Sequence, residues 1–147
     1  MEREYPSRPV AGVAAVIFNN GSVLLVKRKN PPREGNWGLP GGVVELGESI
    51  KEAVVREVRE ECGLEVEPVK RLTVFDSITR DEEGGVRFHY ILFEFLCRVI
   101  GGTMTPATDA VDVRWVSLEK MEELPMSQET IGFIRRVAAE NMASSLR

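Results

Sequence analysis

The chain has 147 residues and a mass of 16.4 kDa, enough for one ordinary domain and too little for a second large one. With 43% hydrophobic and 29% charged residues, it has a normal globular balance and needs no disulfide to close a core. Nineteen Lys and Arg against 23 Asp and Glu leave a net charge of −4, which argues against binding a nucleic-acid polymer through its backbone.

No apolar run nears the ~20 residues of a membrane span, and Met1 to Arg8 has no signal-peptide pattern. Cys62 and Cys97 are far apart and form no C-x-x-C pair, which favours a reducing compartment. The expectation is a cytoplasmic protein in which residues 1–147 form one domain, with no internal repeat and no membrane partner.

Residues 1–9 carry Pro6 and Pro9 and read as an extended lead-in. Val10 to Phe18 is short and almost wholly apolar, like a buried strand. Asn19-Asn20-Gly21 separates it from Val23 to Val26, a strong hairpin signal. Residues 29–36 hold Pro31, Pro32, Gly35 and Asn36 and read as a loop.

The spacing predicts a helix over 49–62, with Ser49 and Glu52 as a capping box and Gly63 as its stop. Strands are expected at 69–78 and 86–99 around the turn 81–85, then a loop at 101–108 and a strand from Val111 to Val116. Ser127 to about Met142 reads as an amphipathic helix with Ile131, Ile134, Val137 and Ala138 on one stripe. Strands, helix, strands and helix imply an α/β fold, a mixed sheet with a helix on each face.

The helix at 49–62 is the most informative segment. With Glu57 as zero, Glu61 falls at about +40° and Glu60 at about −60°, on the face that also carries Ile50, Ala53 and Val54. Three carboxylates on an inward face repel one another and oppose the negative end of the helix dipole. A divalent cation would relieve both costs, and clustered carboxylate oxygens suit Mg²⁺, Mn²⁺ or Ca²⁺. The competing reading is a solvated charged face paired with Arg56 and Arg59. Upstream, Trp37-Gly38-Leu39-Pro40-Gly41-Gly42 sets two glycines at a tight turn, where backbone can come close to a ligand.

These residues together resemble the signature of the Nudix hydrolases, G-x5-E-x7-R-E-U-x-E-E-x-G-U, where U is bulky and aliphatic. Gly42, Glu48, Arg56-Glu57, Val58, Glu60-Glu61, Gly63 and Leu64 fill every fixed position. The resemblance implies a Nudix-type α/β/α sandwich and hydrolysis of a nucleoside diphosphate linked to a group X. It implies Mg²⁺ as cofactor, with Mn²⁺ as a substitute, held by Glu57, Glu60, Glu61 and the carbonyl of Gly41. It further implies an Arg56–Glu48 ion pair that steadies the loop on the helix, and it is compatible with a homodimer. Glu57 is the first choice of general base. Asp109, six residues before Trp115, and Glu82 and Glu83 on the hairpin turn are the other candidates.

The substrate is held outside the signature. Lys27, Arg28 and Arg33 suit phosphates, since Arg binds them through a bidentate fork. Trp37, Phe75, Phe88 and Tyr90 could stack on a base, although core packing competes for each. His89, the sole histidine, reads as a strand residue. The overall pattern is similar to small ADP-ribose pyrophosphatase-like members, so a small nucleotide such as ADP-ribose is the expected substrate. Arg28, Arg33, Trp37 and Asp109 are its expected contacts. The alternative is a house-cleaning (d)NTP pyrophosphohydrolase, and a more distant one is a nucleotide sensor without turnover.

Overall fold

The computed structural model describes residues 3–31, 33–105 and 110–145. The elements in chain order are β1 (Val10–Asn19), β2 (Ser22–Arg28), β3 (Trp37–Gly38), β4 (Gly41–Val43), α1 (Ile50–Cys62), β5 (Leu64–Arg80), β6 (Val86–Gly102), β7 (Ala110–Ser117), a 3-10 turn (Leu118–Glu123) and α2 (Gln128–Ser145).

The centres of β1 and β2, Val13 to Ile17 and Val23 to Val26, are wholly apolar because both faces of the sheet are covered there. Val13, Ala15 and Ile17 of β1, with Leu24 and Val26 of β2, pack on Ala53, Val54 and Val58 of α1. The alternate residues Ala14, Val16, Val23 and Leu25 pack on Ile131, Ile134 and Val137 of α2. The result is an α/β/α sandwich. The expected stripe on α2, with Ala138 as its fourth member, is buried as a whole.

The sheet runs β3-β2-β1-β6-β5, with β4 added on β1 and β7 on β2. β1 and β6 are parallel, Val10 beside Tyr90 through Ile17 beside Cys97, and the other pairs are antiparallel. The β1–β2 turn has Asn20 and Gly21 at φ 48 and 80, the left-handed pair that a two-residue hairpin needs.

Both caps of α1 form as the sequence predicts. Ser49 Oγ accepts from the Glu52 amide at 3.1 Å, and Glu52 Oε1 accepts from the Ser49 amide at 3.0 Å. Gly63 ends the helix at φ 78. Leu64 follows directly as the first residue of β5 and is buried in the same core as Val58 and Cys62. β5 and β6 are each longer than expected, because β5 accepts Pro68 at a register shift on an edge strand. β3 and β4 are too short and glycine-rich to show a period. Among the described residues, no helix is long and apolar enough to cross a membrane.

Candidate active site

Gly42, Arg56, Glu57, Glu60 and Glu61 of the signature line an open cleft of about 1210 Å³ between the sheet edge at β4, the loop after β2 and the start of α2. Its acidic wall is the C-terminal half of α1. Glu61 is only 6% exposed, although it is charged. Its Oε1 accepts from the Gly41 amide at 2.9 Å, and its Oε2 accepts from Arg28 Nη1 at 3.2 Å.

Gly41 is available for this role because of its place on β4. The amides of Ala15 and Val44 donate to Pro40 and Ala11, so positions 40, 42 and 44 face β1. Gly41 then turns its own amide and carbonyl away from β1, toward the cleft edge. A side chain is excluded there, since a Cβ on Gly41 would lie 2.0 Å from the Val13 carbonyl oxygen.

Arg56 organises the rest of the wall. Its Nε and Nη2 grip Glu48 at 2.6 and 2.8 Å, the ion pair that the signature implies. Nη2 also donates to the Val43 carbonyl at 2.9 Å, and Nη1 donates to Glu57 at 2.8 Å and Glu60 at 3.1 Å. The guanidinium holds Glu48 down at a pKa of about 2. Burial raises the pKa of Glu57, and Arg56 works against that rise. The Glu57 carboxyl fills a cradle over Gly42, where a Cβ would come within 2.3 Å of it.

The three carboxylates do not share one inward face in full. Glu57 and Glu61 turn inward, whereas the Glu60 side chain is 60% exposed at the rim. Among the described residues, no three His, Cys, Asp or Glu side chains converge closely enough to hold a metal ion. Arg28 and Arg56 occupy the carboxylates instead. Arg59 takes no part, since it pairs with Glu65 at 2.5 Å. The donor set still matches a hard divalent cation in its chemistry: carboxylate oxygens, an outward backbone carbonyl and a cradle kept open by glycine.

The expected substrate contacts divide. Arg28 is committed, with Nη2 donating to the Leu39 carbonyl at 2.7 Å and Nη1 to Glu61, so it braces the wall. Arg33 stands exposed on the cleft lining and suits an incoming anion. Trp37 is buried in the α2-side core, with the Arg114 guanidinium 5.0 Å over its ring and only part of its surface on the cleft. Phe75 and Tyr90 also line the cleft, whereas Phe88 is buried and stacks on Tyr90 with centroids 6.4 Å apart.

Glu82 and Glu83 sit on the turn organised by Asp81, which accepts from the Glu83 and Gly85 amides, and neither lines the cleft. Asp109 lies outside the described residues.

Sequence reasoning missed Glu94. It lies on β6, is 6% exposed and lines the cleft. Burial raises its pKa to about 7. The available signal was a single carboxylate between Phe93 and Phe95 in an otherwise apolar run.

The family model described as the NUDIX domain matches residues 8–137. Over 123 residues the chain is 39% identical to the ADP-ribose pyrophosphatase of Methanocaldococcus jannaschii, which takes in 84% of this chain and 70% of that protein. Over 99 residues it is 41% identical to the 8-oxo-dGDP phosphatase NUDT18 of Mus musculus, taking in 67% of this chain and 28% of that protein. The solved MutT NUDIX hydrolase from Burkholderia pseudomallei superposes with a TM-score of 0.76 at 32% identity, over 89% of this chain and 99% of that one.

Proposed function

The chain belongs to the Nudix family of hydrolases, and from that premise we propose that it cleaves the pyrophosphate bond of ADP-ribose or a related nucleoside-diphosphate sugar, using Mg²⁺. The products are AMP, or the corresponding monophosphate, and a sugar phosphate. The observation that carries the reading is the buried Glu61 carboxylate, fixed by the Gly41 amide and Arg28 on the wall of a cleft that also holds Glu57, Glu60 and Arg56. The relative from M. jannaschii supports ADP-ribose as the substrate, and the NUDT18 relative keeps an oxidised nucleotide as a second reading.

Glu57, Glu60, Glu61 and the Gly41 carbonyl would hold the cation, with Mn²⁺ as a substitute for Mg²⁺. When bound, a divalent ion neutralises pyrophosphate oxygens and lowers the pKa of water. Glu57 is the base inside the signature: it is partly buried, tethered on one side by Arg56, and faces the cleft. Arg33 receives a phosphate at the rim, and Arg28 acts as a positioning residue for Glu61. Two buried thiols, Cys62 and Cys97, support a cytoplasmic setting. Exposed Val74 and Ile78 on the edge strand β5 support a homodimer.

The test is incubation with Mg²⁺ and a panel of ADP-ribose, nucleoside-diphosphate sugars, dinucleoside polyphosphates and (d)NTPs. AMP and ribose 5-phosphate, with the highest kcat/KM on ADP-ribose, are the expected result. Cleavage confined to (d)NTPs would move the protein to the house-cleaning reading. No turnover with either Mg²⁺ or Mn²⁺ would favour a sensor.

A further inference from the structure

Three rows of side chains on the α2-facing side of the sheet form part of the cleft. One row runs Thr73, Glu94, Ala14, Gly41 across β5, β6, β1 and β4. Its two neighbours on β6 are Leu92 and Leu96, one on each side of Glu94 along the same face. Glu94 therefore stands where the pattern calls for a leucine. Among the described residues its carboxyl makes no hydrogen bond or ion pair, and it opens onto the cleft. Burying such a group costs stability that a leucine would not. A structural role alone does not account for it.

Its position relates it to the acidic wall. Glu94 and Gly41 are two strand spacings apart in one row, about 10 Å at the backbone. Only the methyl of Ala14 stands between them. Gly41 carries the amide that fixes Glu61, so on the proposed function this end of the row would take the phosphates. A nucleoside monophosphate is long enough to bridge that span, which would set its phosphate at the wall and its base over Glu94. Thr73 flanks the carboxyl on β5, and Phe133 and Val137 of α2 also line the cleft, giving a base an apolar side.

We propose that Glu94 is a specificity-determining residue that reads the nucleobase, pairing with an edge that sets an amino donor beside a ring-nitrogen acceptor, as adenine does. The inference rests on the reading of the chain as a nucleoside-diphosphate hydrolase. The amino group donates to the carboxyl C=O, and the ring nitrogen accepts from the carboxyl O–H. Burial without a nearby cation raises the pKa of Glu94 to about 7, which keeps that proton available at neutral pH and below. An ionised carboxylate would instead favour the paired N–H donors of guanine.

The experiment compares wild type, E94Q and E94L on ADP-, GDP-, CDP- and UDP-glucose, which differ only in the base. The same proteins are titrated with AMP and GMP by calorimetry. Wild type is expected to favour the two bases with that edge, adenine and cytosine, over guanine and uracil, and among them ADP-glucose. E94L should lose ~10–100-fold in kcat/KM on that substrate, through KM, and much less on UDP-glucose. E94Q, which keeps one donor and one acceptor, should restore most of the adenine preference.

An unchanged base ranking in E94L overturns the proposal and leaves Glu94 a core residue. A collapse of kcat at constant KM in both variants also overturns it, placing Glu94 at the reacting centre. If wild type cleaves none of the four sugars, the nucleoside-diphosphate-sugar reading is what fails, and calorimetry decides the inference separately. AMP binding weakened by E94L then supports it, and equal or absent AMP binding overturns it. Should E94L not fold, E94A takes its place in each comparison.

Discussion

Replacing Glu61 by Gln exchanges one oxygen for an amide nitrogen and leaves the volume almost unchanged. The Gly41 amide keeps its acceptor, but the charge facing Arg28 is lost. E61Q is expected to lower kcat by about 100-fold or more with the circular dichroism spectrum unaltered. A variant that turned over at the wild-type rate would remove Glu61 from the site. Gly42→Ala acts on the neighbouring carboxylate: its Cβ would lie 2.3 Å from the Glu57 carboxyl, so Glu57 must leave its cradle. Steady-state assays should show G42A depressed in kcat, and retained turnover would mean that Glu57 needs no fixed place. Glu61, Glu57, Arg56 and Glu48 were readable because their spacing lies within one helix and its approach. The Arg28–Glu61 contact was not, since 33 residues separate the partners and only the folded sheet brings them together. Glu94 was unreadable as a site residue because nothing local tells which face of β6 meets a cleft.

Among the elements, α1 is the one most fully specified by local chemistry. Its capping box and left-handed stop are both short-range, and both formed as the spacing predicts. The stop also carries tertiary structure: a Cβ on Gly63 would lie 2.4 Å from the Thr103 carbonyl oxygen and 2.4 Å from Thr105 Oγ1. A β-branched residue there meets a disfavoured backbone and a crowded turn together. Gly63→Val should therefore cost at least about 2 kcal/mol, a fall of roughly 4–8 °C in Tm. Unchanged melting would refute both terms. By contrast, β3, β4 and the ends of β5 and β6 depend on partners distant in sequence. Gly41-Gly42-Val43 becomes a strand because β1 offers it an edge, and Pro68 is accepted because β5 is an edge strand that can shift register.

The stability of the whole molecule against pH is set by opposed carboxylates. Glu94 has a folded pKa of about 7 against an ordinary 4.5. Its neutral form is common to both states below 4.5, so stability is greatest there. Between 4.5 and 7 the unfolded chain gives up a proton that the folded chain keeps, and stability falls as pH rises, by about 3 kcal/mol in all. Glu57, raised by burial, adds to the same trend in metal-free buffer. Glu48 runs the other way: its pKa is about 2 beside Arg56, so its contribution is complete above 4.5 and is lost as pH falls toward 2. The two slopes meet near pH 5, where the metal-free protein should be most stable. Melting scans in the presence of a chelator should give a Tm several degrees higher at pH 5.5 than at pH 8. E94Q, whose amide stays neutral throughout, should lose most of that difference by gaining stability at pH 8. A full slope surviving in E94Q would assign the titration to another group and return Glu94 to an ordinary carboxylate open to water.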